Sequence, residues 1–230
     1  MLADISFAQI GFWIVYIILP ILVLYFIYLF FTQAFKYMGF SSVEAFVIVF
    51  VSFLFGFDIK ILGINVSNIY LISYGNWNLL INIGGAIIPI LLSIYLIISR
   101  KISIKKIAIG IIIVTIIAFL VTHPVENKGI VAVIPYAFLP AVFASIISVI
   151  LSWKNFIKAA PLAYISGTIG VLIGADFLHL WELLNIPITD KINAVIGGAD
   201  VFDMIFITGI IAVVLDGLIM FRQRKNDRIT

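Results

Sequence analysis

Three aspartates, Asp176, Asp200 and Asp203, lie within or beside the last apolar stretches of this chain. A carboxylate in hydrocarbon costs about 2.5 kcal/mol or more on insertion scales, so such residues normally face a protein interior or a wet pocket. Asp200 and Asp203 are three apart and share a face if the segment is helical. They follow Ile196-Gly197-Gly198-Ala199, a small-residue run that suits a tight helix start. Asp200 then falls in the first turn, where the helix dipole favours it, and Asp203 lies about a turn deeper. Asp176 closes the preceding apolar segment and can approach this start across a hairpin. Like charges gathered so closely cannot all ionise. The chemistry open to them is to hold a cation, exchange a proton, or activate a water as a pair. A plainer role is to cap free N–H groups at the helix start.

The elements that position these acids are membrane spans. The chain has 230 residues, 64% hydrophobic and 11% charged, against about 25% charged in soluble domains. Mean hydropathy is +1.27. It reads as a single integral membrane domain over 1–230, an all-α polytopic helix bundle. Seven apolar runs are long enough to span, at 8–32, 41–57, 79–99, 105–122, 130–152, 160–178 and 196–221. Residues 1–9 carry no basic region, so the first run reads as a retained helix and not a cleaved signal. Eleven of the fourteen basic residues fall after odd-numbered spans; only Lys60, Lys128 and Lys191 fall on the other side. The positive-inside rule then puts the N-terminus outside and the C-terminus inside the cytoplasmic membrane. Residues 58–78 and 179–195 read as surface-lying outer loops.

The chain echoes itself. Gly56-Phe57-Asp58 precedes Asn82-Ile83-Gly84-Gly85-Ala86, as Gly174-Ala175-Asp176 precedes Gly197-Gly198-Ala199. The units, 41–99 and 160–221, are each a helix, an acid, a loop, a Gly-Gly-Ala and a second helix. An even number of spans separates them, which gives a parallel repeat. Asp58 reads as a cap for the first Gly-Gly-Ala start. Positions matching Asp200 and Asp203 in the first unit are Ile87 and Ile90, so those acids belong to the second alone. Pro89 marks or kinks the start of the third span.

Other chemistry is sparse. There is no Cys, which removes disulfides and thiolate metal sites. His179 and Glu182, three apart, read as solvated surface residues before they read as metal ligands. Asp216 reads as an interfacial residue near Arg222. Asn65-Val66-Ser67 fits a glycosylation acceptor. The basic tail from Arg222 to Arg228 reads as a lipid anchor, not a nucleic-acid patch. No cofactor motif is present, and the bilayer is the one partner that composition requires.

Two resemblances follow. Gly-Ala-Asp-Phe at 174–177 and Gly-Gly-Ala-Asp at 197–200 look like loosened forms of the Gly-x-Gly-Asp signature of intramembrane aspartyl proteases, with Ala175 and Ala199 in place of the second Gly. That resemblance implies Asp176 and Asp203 as a catalytic dyad. Asn82-Ile83-Gly84-Gly85-Ala86-Ile87-Ile88-Pro89, Ile173-Gly174-Ala175-Asp176 and Gly197-Gly198-Ala199 through Asp203 to Phe206 resemble the blocks of a prokaryotic membrane family, domain of unknown function sixteen-fourteen, over residues 40–215. The final block of that family carries Gly where this chain has Asp200, which turns attention to Asp176 and Asp203. The expected site therefore combines Asp176, Asp203, Asp200, Asn82, Gly84, Gly85, Gly197 and Gly198 near the outer face. The expected function is binding or transport of a cation, proton or small polar solute. An aspartyl-protease-like enzyme and a non-catalytic scaffold stand as alternatives.

Overall fold

A computed structural model describes residues 7–126, 128–153, 155–198 and 204–226. It is a helical membrane bundle with a small sheet at one end. The helices are α1 (Phe7–Tyr37), α2 (Ser42–Gly56), α3 (Ile88–Arg100), α4 (Ile104–Val121), α5 (Leu139–Leu151), α6 (Ala159–Val171), α7 (Leu178–Leu184) and α8 (Met204–Asn226). A π-helical turn, Ile83–Ile87, leads into α3. A second, Leu172–Phe177, joins α6 to α7 as one continuous rod. The strands are β1 (Lys60–Ile61), β2 (Ile64–Asn65), β3 (Asn68–Tyr74), β4 (Trp77–Asn82), β5 (Thr122–Val125), β6 (Gly129–Ala132) and β7 (Ile192–Ile196).

Four of the helical segments are long and apolar enough to cross a membrane: 11–37, 83–100, 104–121 and 159–184. Three shorter apolar helices, at 42–56, 136–151 and 204–219, complete seven helical segments close to the seven apolar runs of the sequence. The segment from α6 to α7 is the axis of the bundle and is mostly buried, while α1 is mostly exposed. At 31 residues, α1 is about 46 Å long and packs only through its last turns, where Phe31, Thr32, Ala34 and Phe35 are buried. Its remaining surface is exposed and apolar, as a lipid-facing helix requires.

Lipid is as apolar as Leu, so burial of oily surface does not hold these helices together; close packing does. Small residues supply it. A Cβ on Gly167 of α6 would sit 3.4 Å from the Gly209 Cα of α8, and Ala163, Ala144, Ala141 and Ala212 are fully buried around the same seam. At the helix starts, local chemistry decides the boundaries. Ser41 caps α2 with a complete capping box: Glu44 N donates to Ser41 Oγ (3.2 Å) and Ser41 N to Glu44 Oε2 (2.7 Å). Pro89 lies in the first turn of α3, where its missing N–H costs nothing, and marks the start rather than a kink. Pro89's own carbonyl also accepts from Ser93 Oγ at 2.9 Å.

The two outer loops expected to lie on the surface contain strands instead. Residues 60–65 form the β1–β2 hairpin, and 68–82 form the β3–β4 hairpin around a Gly75-Asn76 turn, with Tyr74 opposite Trp77. The third apolar run thus opens as strand, not helix, up to Asn82. Strand β7 adds to β4 in parallel, with Trp77 opposite Ile192 and Ile81 opposite Ile196. The order β3-β4-β7 is mixed. β5 and β6 form a separate hairpin beside α7.

Candidate functional site at the sheet end

The two echoing units meet at this sheet. β4 runs into Ile83-Gly84-Gly85-Ala86 and β7 into Gly197-Gly198, and the parallel pairing carries both runs to the same level. They cross backbone on backbone. A Cβ on Gly85 would lie 2.0 Å from Gly197 O, and one on Gly197 would lie 2.5 Å from Ala86 Cβ. Gly197 and Gly198 also hold φ of +82° and +69°, a left-handed turn that only Gly enters freely.

Each crossing segment has a polar clasp. In the second unit, Gly197 N donates to Asp176 Oδ2 at 2.9 Å, so Asp176 reaches back 21 residues across the hairpin. In the first unit the clasp is Asn82, whose Oδ1 accepts from Gly85 N at 2.7 Å. Asp58 stands two bonds behind it: Asp58 Oδ1 accepts from Asn68 Nδ2 (3.0 Å), and Asn68 Oδ1 accepts from Asn82 Nδ2 (2.8 Å). The cap expected of Asp58 is thus Asn82, with Asp58 fixing the asparagine relay. Asp58 also accepts from Asn65 Nδ2 and pairs with Lys60 at 3.6 Å. Asn65 is tied into this turn on both sides, since its Oδ1 accepts from Ser67 N and Asn68 N. The nitrogen that a glycan would need is therefore engaged.

Beside the second clasp is a cavity of about 200 Å³. Its walls come from β4 (Trp77, Leu79), β7 (Ile192 to Ile196), the turn into β6 (Lys128 to Ile130) and α7 (Leu180, Leu183). Asp176, Lys128 and Asn193 bring the polar side chains. Trp77 is fixed by its Nε1 donating to Ile186 O at 3.3 Å. The arrangement sets a carboxylate and an ammonium on one small space whose walls are about half polar.

Of the residues expected from sequence, Asp176 and Gly198 line this cavity, with Gly197 between them in the clasp; Asn82, Gly84 and Gly85 lie in the crossing beneath. Asp200 and Asp203 lie outside the described residues. Trp77 and Lys128 were not anticipated. The signal for Lys128 was present: it is one of three basic residues on an otherwise base-poor side.

Two other residues differ from expectation. His179 is buried, not solvated. Its ring stacks on Phe119 at 4.4 Å, with Nε2 3.2 Å from Phe119 O and Nδ1 3.2 Å from Glu182 Oε2. Both ring nitrogens are engaged, and among the described residues no group of three His, Cys, Asp or Glu could hold a metal. Asp216 is not interfacial but fully buried. Its Oδ1 accepts from Ser148 Oγ of α5 at 2.9 Å, while Oδ2 has no partner among the described residues.

No curated protein matches this chain, and no solved structure matches it. A family model described as protein of unknown function (DUF1614) matches residues 67–215, from the start of β3 to within α8. That span holds Asn82, the Gly-Gly-Ala runs, Asp176 and the cavity walls. The chain belongs to this family of unknown function.

Proposed function

We propose that this membrane protein binds a small zwitterionic solute in the cavity at its sheet end, with Asp176 facing the solute's ammonium and Lys128 its anionic group. The observation that carries this reading is the convergence of Asp176 and Lys128 on one cavity of about 200 Å³. That volume is roughly six waters' worth, enough for a molecule of amino-acid size and too little for a peptide. A lone metal cation fits less well, because Lys128 opposes it. Trp77 and the aliphatic walls suit the solute's apolar part. The distribution of basic residues supports placing the sheet end outside the cytoplasmic membrane. Passage across the bilayer would further require the Gly85–Gly197 crossing beneath the cavity to part.

The test uses Trp77 as reporter. Trp13, Trp153 and Trp181 are changed to Phe in the full chain, reconstituted in nanodiscs, and titrated with a panel of amino acids and betaines. A saturable shift in Trp77 emission, lost in both Asp176→Asn and Lys128→Gln, is the expected result. No shift across the panel, or a shift that survives both substitutions, overturns the reading.

A second reading rests on the Gly197–Asp176 hydrogen bond. Asp176 would then be a structural clasp alone, in a scaffold without a ligand. Under that reading Asp176→Asn lowers stability, and no solute perturbs Trp77.

A further inference from the structure

The opposite end of the bundle carries the larger concentration of positive charge. There the loops after α3 and α5 meet. Arg100 Nη2 donates to Gly39 O at 2.8 Å, Lys158 Nζ to Lys101 O at 2.8 Å, and Lys106 Nζ to Leu151 O. Between these loops lies a cavity of about 190 Å³ lined by Lys101, Ser103, Lys106, Ser152, Asn155 and Lys158, with Ile102. None of these lining residues is acidic.

Lysines after a membrane span are common, because loops on the cytoplasmic side are basic. Such lysines ordinarily point into water. Here three of them border one half-open space with Ser and Asn side chains. Each ammonium has three N–H donors. Lys106 and Lys158 each spend one on a backbone carbonyl, which fixes the side chain and leaves two donors. The cavity also borders the start of α4. Ser103 is its N-cap residue but makes no side-chain cap, and the first amide to find a helical acceptor is that of Lys106. The positive end of an 18-residue helix is thus left open toward the cavity.

An independent observation points to a ligand. Ser152 lines the cavity and is 2% exposed, yet its hydroxyl has no hydrogen-bond partner among the described residues. A buried hydroxyl without a partner is costly; Thr32, Ser52, Ser145, Tyr164, Ser166 and Thr168 carry others, but Ser152 alone of them lines this cavity. An acceptor-rich group in the cavity would satisfy it.

We propose that this cavity binds a phosphate group, with Lys101, Lys106 and Lys158 neutralising its charge and Ser152 donating to one of its oxygens. A tetrahedral oxyanion offers enough acceptors for three ammonium groups, a hydroxyl and helix-start amides together. A carboxylate has only two oxygens and leaves several of these donors unused. The phosphate is that of an anionic lipid headgroup or of a soluble phosphate compound.

The experiment measures thermal unfolding of the full chain. One arm adds inorganic phosphate to protein in a zwitterionic detergent, against sodium chloride at equal ionic strength. The other compares nanodiscs of phosphatidylcholine with nanodiscs containing phosphatidylglycerol. Stabilisation by phosphate over chloride assigns a soluble source; stabilisation by phosphatidylglycerol without a phosphate effect assigns the headgroup. In either case Lys101→Gln and Ser152→Ala are expected to weaken the half-saturating concentration at least tenfold and threefold. Neither substitution removes a side-chain bond found in the protein alone, so folding is kept. Stabilisation in neither arm overturns the proposal. So does stabilisation that both variants retain in full.

Discussion

Gly85→Ala tests the crossing on which the sheet-end site depends. A methyl at Gly85 would stand 2.0 Å from Gly197 O. To restore ordinary contact the two segments must part by about 1.4 Å. The obstacle is backbone on both sides, so no rotamer change relieves it. Parting them strains the bond from Gly85 N to Asn82 Oδ1 and that from Gly197 N to Asp176 Oδ2. A neutral hydrogen bond contributes about 0.5–1.5 kcal/mol and one to a charged acceptor about 1.5–3. Overpacking adds about 1–3 kcal/mol. The expected loss is about 3–7 kcal/mol, a large share of the 5–15 typical of a folded domain. Two glycines serve as controls, since a Cβ on either would meet nothing within 4 Å. Gly11→Ala, on the exposed face of α1, is expected to be neutral. Gly75→Ala, at φ +57° in the β3–β4 turn, is expected to cost about 1–2 kcal/mol from the left-handed backbone alone. Unfolding by dodecyl sulfate in mixed micelles, followed by tryptophan emission, ranks the three. If Gly85→Ala costs less than Gly75→Ala, the two Gly-Gly-Ala runs do not cross as described.

Two further outcomes follow from single hydrogen bonds, read by the same unfolding assay. Asp176→Ala leaves Gly197 N without its acceptor and is expected to cost about 1.5–3 kcal/mol, while Asp176→Asn, which keeps an acceptor oxygen, is expected to cost about half as much; equal costs would show that the charge, not the cap, matters to the fold. Ser148→Ala removes a hydroxyl whose one proton is shared between Asp216 Oδ1 and Ser145 O, at about 1.5–3 kcal/mol, whereas Ser145→Ala removes a hydroxyl that has no partner among the described residues and is expected to be neutral; equal losses would refute the assignment.

The helical framework was legible because lipid imposes it: an apolar run long enough to span has few alternatives to a helix. The sheet was not, though one of its turns was written plainly. Gly75-Asn76 sits between the apolar runs 68–74 and 77–82, a two-residue hairpin pattern. Reading 79–82 as the start of a span hid it, because a strand and a span of Leu and Ile look alike over four residues. The β4–β7 pairing joins residues more than a hundred apart, which no local period records. The Gly-Gly-Ala echo did record it indirectly. It found both runs that cross, and it found Asp176 as the residue reaching back to one of them. It misassigned Asp58, because the same geometrical need at the first run is met by a side chain three residues upstream, Asn82, and not by an acid at the preceding helix end.

Burial also separates three acids to which the sequence reading gave three roles, a cap, a site residue and an interfacial residue. Asp58 is exposed and shares its charge with Lys60 and two asparagines. Asp176 is half-buried and faces a cavity that also holds a cation. Asp216 has no exposure and a single hydroxyl for company. The cost of burying a carboxylate is thus met differently in each case, by water and Lys60, by a backbone clasp, and by one serine. Only the second arrangement leaves space for another molecule. It lies at one end of the bundle and the lysine-lined cavity at the other. Between them the axis from α6 to α7 is packed with Ala, Gly and Val. A group seated at the lysine-lined end would meet Ser103 and Lys106 at the start of α4 and Lys158 just before α6. α4 also carries Phe119, whose ring and carbonyl hold His179 of α7, one wall-helix of the sheet-end cavity.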